Sequence, residues 1–183
     1  MPDPIIVDVD GVVVDFVSAL AYAARKEVAF SAPAVESALP AAFGGIEPFL
    51  EFVVERGVLE ACPVYDGAVE GLIRIASRHP LVVVTARAYH PLGGAVTKNL
   101  FEGQGVEVAE IVLTQPGRPK SSAYRGLAPR FAGIIEDSPR NLDDAYAFGC
   151  IDRFFVRDQP WNRGYARAER VKGLTQVAEL LGV

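Results

Sequence analysis

The chain has 183 residues, half of them hydrophobic and 22% charged, which suits one domain with a real core and excludes a disordered or fibrous chain. A net charge of −5 and a pI near 5.1 argue against nonspecific binding of a nucleic-acid polymer. Two cysteines far apart, Cys62 and Cys150, fit neither a zinc site nor a disulfide framework, and read as buried free thiols in a reducing cytoplasm.

The opening MPDPII has no basic stretch leading into an apolar one, so no signal peptide is expected. No apolar run approaches the ~20 residues that span a bilayer, and no internal repeat is visible. The expectation is a cytoplasmic protein, off the membrane, as a monomer or homodimer.

Ile5-Ile6-Val7 is too short for a helix and rich in β-branched residues, so it reads as a buried strand. It delivers Asp8 and Asp10, which point the same way because strand side chains alternate. Gly11 lets the chain turn just past them. Two carboxylates ~4 Å apart at an effective dielectric near 20 repel by about 4 kcal/mol, a cost that calls for a cation or a shared proton. The alternative is a loop whose acids merely cap the next helix.

Phe16, Leu20, Ala23 and Ala24 have the spacing of an amphipathic helix, which Ser31-Ala32-Pro33 interrupts. A short helical turn over Ala34 to Leu39, a loop at Pro40 and Gly44-Gly45, and a helix over Glu47 to Glu55 follow. Cys62 to Gly67 reads as a turn, and Ala68 to Ser77 as a helix. Roughly fifty residues, Phe16 to Asp66, thus separate the first strand from the next regular unit, where a βα connection usually takes about two to six. This insert reads as a small helical cap.

From Leu81 strands and helices alternate. The strands are Leu81 to Thr85, Ala109 to Leu113, Ala132 to Ile135 and Arg153 to Val156. The helices are Ala95 to Gly103, Ser121 to Gly126, Pro139 to Phe148 and Leu174 to Leu181. Such alternation predicts an α/β fold with a parallel sheet covered on both faces, and a site at the carboxyl ends of the strands. The predicted division is a Rossmann-like three-layer core over 1–15 and 67–183, with the cap over 16–66.

Those strand ends carry Asp8 and Asp10, then Thr85-Ala86-Arg87, then Lys120 in the segment after the third strand, then Glu136-Asp137-Ser138. In this order they resemble the four motifs of the haloacid dehalogenase-like phosphatase superfamily, over about residues 5 to 145. The resemblance implies that Asp8 is the nucleophile and Asp10 the general acid/base. It implies Mg²⁺ held by Asp8, Asp137 and an Asp10 carbonyl oxygen, with Glu136 either a direct ligand or one step behind. Thr85, the backbone at Ala86 and Lys120 would hold the phosphate oxygens. The superfamily's dehalogenase branch lacks the second Asp, so Asp10 favours phosphoryl transfer.

Within that superfamily DVDGVVVDF, the short cap, EDSPRN and DQPWNR resemble the small 5'(3')-deoxyribonucleotidases, the cytosolic type C 5'-nucleotidases. The resemblance implies a (deoxy)nucleoside 5'-monophosphate as the small phosphate-ester substrate. Phe16 would stack on the base, with Phe43 a second surface and Arg87 a further contact. Both phenylalanines have cap packing as the competing role. Thr85-Ala86-Arg87 departs from the Ser and Pro of some relatives, which leaves nucleotide selectivity open. A phosphatase for another metabolite, such as a sugar phosphate, is the alternative, and a noncatalytic phospho-ligand binder a third. Trp161-Asn162 is expected to fix its loop, Asp143-Asp144 to be solvated, His79 and His90 to stand off the chemistry, and Arg153 to Arg170 to form a salt-bridged surface.

Overall fold

The computed structural model describes residues 2–24 and 40–183. Among the described residues, six parallel strands form one sheet: β1 Ile5–Val7, β2 Leu81–Thr85, β3 Glu110–Leu113, β4 Gly133–Glu136, β5 Phe154–Arg157 and β6 Glu169–Val171. Their order is β3-β2-β1-β4-β5-β6, so β1 lies between β2 and β4. The helices are α1 Phe16–Ala24, α2 Ile46–Glu55, α3 Ala68–Ala76, α4 Gly93–Gly103, α5 Ser121–Tyr124, α6 Pro139–Phe148 and α7 Leu174–Leu181.

Strand alternation divides the core into two layers. Ile5, Val7, Leu81 and Val83 face α3, α7 and Phe101 of α4, while Ile6, Val82, Val84 and Ile134 face Tyr124, Leu142 and Ala145. Both faces are therefore apolar, which is why these strands read as continuous hydrophobic runs. The three-layer α/β core expected from the sequence is what the chain forms.

Among the described residues between α1 and α3, a third, separate cluster forms. Ala19 and Leu20 of α1 meet Phe49 and Val53 of α2 and the following Val58 and Leu59. Asp15 opens α1 by accepting from the Ser18 amide at 2.9 Å and the Ser18 hydroxyl at 2.7 Å. The two strands of chain that tie this cluster to the core run side by side. Asp15 N donates to Pro63 O and Tyr65 N to Val13 O, around an antiparallel bridge of Val14 to Val64.

Several boundaries differ from expectation. Residues 40–42 are helical rather than loop, because Gly44-Gly45 and not Pro40 provides the break. The helical turn expected over Ala34 to Leu39 lies outside the described residues. β6 was not expected: Glu169-Arg170-Val171 is a short edge strand with one apolar residue turned inward. Cys62 and Cys150 are half-buried rather than buried, and neither is in a disulfide. Among the described residues, no helix is long and apolar enough to cross a membrane.

Candidate active site

The carboxylates of the site and Thr85 hang from the carboxyl ends of β1, β2 and β4, the position where open α/β sheets place ligands. After β1 the chain turns tightly: the Val9 carbonyl accepts from Val13 N at 2.8 Å and Val14 N at 3.1 Å. Gly11 sits in this turn with φ +79°, and a Cβ there would run into the Asp137 carboxylate. Only glycine lets the first loop close against the end of β4.

Asp8, Glu136 and Asp137 are all buried and can place one oxygen each within 4.8 Å of one another. Lys120, also buried, lies between two of them. Its Nζ donates to Glu136 Oε2 at 2.7 Å and stands 3.0 Å from Asp8 Oδ1. The Asp8 contact is ionic without hydrogen-bond alignment, so Asp8 Oδ1 remains a buried acceptor without a hydrogen-bond donor. Three carboxylates face one ammonium, which leaves excess negative charge in a place poorly supplied with water.

The consequences fall unequally. Burial, reinforced by Glu136 and opposed by Lys120, raises the Asp8 carboxyl to about 7. Burial, Glu136 and Asp8 push Asp137 well up in the same way. For Glu136 burial works upward too, but Lys120 and hydrogen bonds to the charged form win and hold it low. Burial opposes the Lys120 charge, and Asp8 with Glu136 more than offsets it. Glu136 Oε1 also accepts from the Asp137 and Ser138 amides at 3.1 and 3.2 Å, while Oε2 takes Lys120. Its oxygens are thus committed to holding Lys120 and the start of α6, and Asp8 and Asp137 are the freer donors for a cation. An all-oxygen set with surplus negative charge fits a hard divalent ion.

Asp10 is not part of that triad. Both of its oxygens are held by Arg87, Nη2 to Oδ1 at 2.6 Å and Nε to Oδ2 at 2.9 Å. Arg87, expected to contact substrate, is instead buried; burial works against its charge, and Asp10 overrides that to raise its pKa. At the end of β2 the Thr85 hydroxyl is fully buried with no partner, and Ala86 faces the cleft.

The cleft has two joined chambers. The smaller, about 180 Å³, is lined by Asp8, Asp10, Gly11, Lys120, Asp137 and Trp161 among others. The larger, about 320 Å³, adds Ile46, Phe49 and Leu50 from α2, Tyr89, and a polar edge of Gln115, Arg118 and Arg140. Asp10, Phe16, Ala86, Lys120 and Asn141 border both. Phe16 is therefore at the junction. Phe43 lines neither chamber; it packs on Phe49 and Phe52 at centroid distances of 5.4 and 4.8 Å, in the apolar cluster of the insert. The helical face of Ile46, Phe49 and Leu50, spaced i, i+3, i+4, was the signal that could have found the wall that Phe43 does not form.

Supporting contacts reach further than the motifs. Trp161 Nε1 donates to Asp137 Oδ2 at 3.1 Å, and Asn162 Nδ2 to the Asp137 carbonyl at 2.7 Å. Asp144, expected to be solvated, accepts from the Ser121 amide and hydroxyl, both at 2.7 Å, and so fixes the residue after Lys120. Asp143 pairs with Arg167 and Tyr165, and Arg153 and Arg170 pair with Glu169 and Asp158, the salt-bridged surface expected there. His79 is half-buried, its Nδ1 2.9 Å from the Asp3 carbonyl, while His90 is buried, its Nδ1 accepting from Leu92 N at 3.1 Å. Burial, then Asp10, pushes the Cys62 thiol up to about 12, so it stays protonated and donates to Val58 O.

No protein-family model and no curated protein matches the chain. Solved structures do. An L-2-haloacid dehalogenase from Xanthobacter autotrophicus superposes with a TM-score of 0.66 at 11% identity, covering 100% of this chain and 99% of that one. A Bacillus subtilis hydrolase of the haloacid dehalogenase superfamily, solved with magnesium bound, gives 0.66 at 14%, over 100% and 99%. A Lactobacillus plantarum protein carrying the name phosphoglycolate phosphatase gives 0.66 at 17%, over 98% and 99%. At these identities the likeness establishes the fold, a haloacid dehalogenase-like α/β core, among neighbours that are hydrolases of two chemistries.

Proposed function

We propose that this chain is a Mg²⁺-dependent phosphomonoesterase that works through an aspartyl-phosphate on Asp8, most fittingly on (deoxy)nucleoside 5'-monophosphates. The observation that carries the reading is Asp10, a second carboxylate beside Asp8 in the same small chamber. Displacing a halide leaves a stable anion that needs no proton. Cleaving a phosphate ester leaves an alkoxide, and a positioned acid is what makes it depart.

In this reading Asp8 attacks phosphorus and the ester P–O bond breaks as Asp10 gives its proton to the departing oxygen. The Asp10 carboxylate then takes a proton from the water that attacks the acyl phosphate, which frees Asp8 and inorganic phosphate. Lys120, between Asp8 and Glu136, meets the non-bridging oxygens, and the unpartnered Thr85 hydroxyl supplies a donor. Asp8, Asp137 and the Asp10 carbonyl would hold the cation, which when bound offsets the carboxylate charge that otherwise repels a phosphate dianion. The residues between 16 and 66 act as the cap, and Phe16 with Phe49 and Tyr89 gives the leaving group an aromatic-lined chamber.

The polar edge of that chamber, Gln115 and Arg118, favours as second reading a more hydroxylated ester such as a sugar phosphate. Release of inorganic phosphate from a panel of nucleoside monophosphates and sugar phosphates, with Mg²⁺ and with chelator, tests both. Turnover of nucleotides that chelator abolishes is the expected result; no turnover of any phosphate ester would overturn the reading.

A further inference from the structure

Arg87 meets Asp10 with two prongs, at 2.6 and 2.9 Å, which fixes the plane of the carboxyl group. The Arg87 side chain is 1% exposed, whereas the Asp10 side chain keeps 28% of its surface. The fork thus grips from inside and leaves the other face of the carboxylate to the cleft. A third N–H, on Nη1, reaches Thr97 Oγ1 at 3.3 Å, and the Thr97 hydroxyl donates to Gly93 O at 2.7 Å. Gly93 allows this arrangement, since a Cβ there would run into the Arg87 carbonyl. A continuous set of buried contacts therefore runs from the first turns of α4 to Asp10. Arg87 and Thr97 border neither chamber.

We propose that Arg87 is a positioning residue, backed by Thr97, that holds the Asp10 carboxyl group in the orientation that serves first, as the protonated acid, the leaving oxygen and then, as the carboxylate, the attacking water. The proposal rests on the phosphomonoesterase reading above. A proton donor must stand about 2.6–3.2 Å from the atom it serves. An aspartate free to rotate among its rotamers spends much of its time elsewhere. Lysine at position 87 would supply charge without the planar fork, so charge alone does not restore the function.

The test compares Arg87→Met, Arg87→Lys and Thr97→Val with wild type on two esters, an alkyl phosphate taken from the substrate panel and p-nitrophenyl phosphate. The nitrophenolate departs without a proton, whereas the alkoxide requires one. Both Arg87 variants should lose about 10²-fold or more in kcat/KM on the alkyl ester and less than about tenfold on the aryl ester, the signature of a displaced general acid. Thr97→Val, which removes the hydroxyl in nearly the same volume, should move the same ratio in the same direction by less, with KM little changed. Should the Arg87 variants fail to fold by circular dichroism, the Thr97→Val ratio decides alone. Equal losses on the two esters, or a Thr97→Val ratio equal to wild type, overturn the positioning role. Wild type inactive on both esters with Mg²⁺ present overturns the phosphomonoesterase reading and this one with it.

Discussion

Asp8 sits where its own ionisation is costly. Between the unfolded value of 3.8 and the folded value of about 7, the native protein holds a proton that the unfolded chain has released. This group's stabilisation is therefore present below the lower value and is lost as pH rises through the window. Asp137, raised by the same burial, adds to the fall. Melting in chelator from pH 5 to pH 8 should show a declining Tm, each kcal/mol of the penalty appearing as about 2–4 °C in a chain of this size. Asp8→Asn should flatten that slope and reduce phosphatase activity to background with the fold intact; a folded variant that still turns over would remove Asp8 as nucleophile. The sequence exposed Asp8 and Asp10 because two like charges one residue apart on a buried strand call for a partner, and Lys120 and Asp137 because they follow in the order of the motifs the chain resembles. It could not expose Arg87 as the holder of Asp10, because Thr-Ala-Arg says nothing about whether the guanidinium turns outward to a ligand or inward to a neighbour.

The short helix α5 would be marginal alone, and Asp144 on α6 anchors its start by taking the Ser121 amide and hydroxyl. Asp144→Ala should cost about 0.5–2 kcal/mol, the usual value of a lost N-terminal cap, and should raise KM because Lys120 loses its fixed neighbour. Urea unfolding and steady-state kinetics on the same variant check both; unchanged KM would detach Asp144 from the site. Helix α1 brings Phe16 to the junction of the two chambers. Base stacking on an aromatic is worth about 1–3 kcal/mol. Phe16→Ala should therefore lower kcat/KM for nucleoside monophosphates at least several-fold and spare a small non-aromatic ester. Equal losses on both would return Phe16 to packing against Phe49 and shift the substrate toward sugar phosphates. Periodicity made α1, α2 and the later helices readable. It could not say which aromatic of the insert faces the cleft, since Phe49 lies on α2 and Phe43 in the turn before it, and spacing alone does not tell which way either ring points.

Across the molecule, the carboxyl ends of the sheet gather negative charge, and Ile46, Phe49 and Leu50 of α2 line the cleft beside them. Five of the six strands were readable as apolar runs, each within a residue or so of its end. β6 escaped because an edge strand of Glu-Arg-Val buries one side chain and has no run to show. If the gathered carboxylates hold a divalent cation, as proposed, the ion stabilises the fold by mass action. A cation at a hundred times its Kd should stabilise by about 2.7 kcal/mol, and a Tm indifferent to Mg²⁺ would contradict the assigned ligand set. Trp161, which donates to Asp137, is also the only tryptophan in the chain. All indole fluorescence of the protein therefore arises beside the carboxylates, and the molecule carries its own optical gauge of that charge. Emission recorded during a Mg²⁺ titration should change and saturate, revert with chelator, and lose its response in Asp137→Ala, without a dye, a coupling enzyme or a substrate.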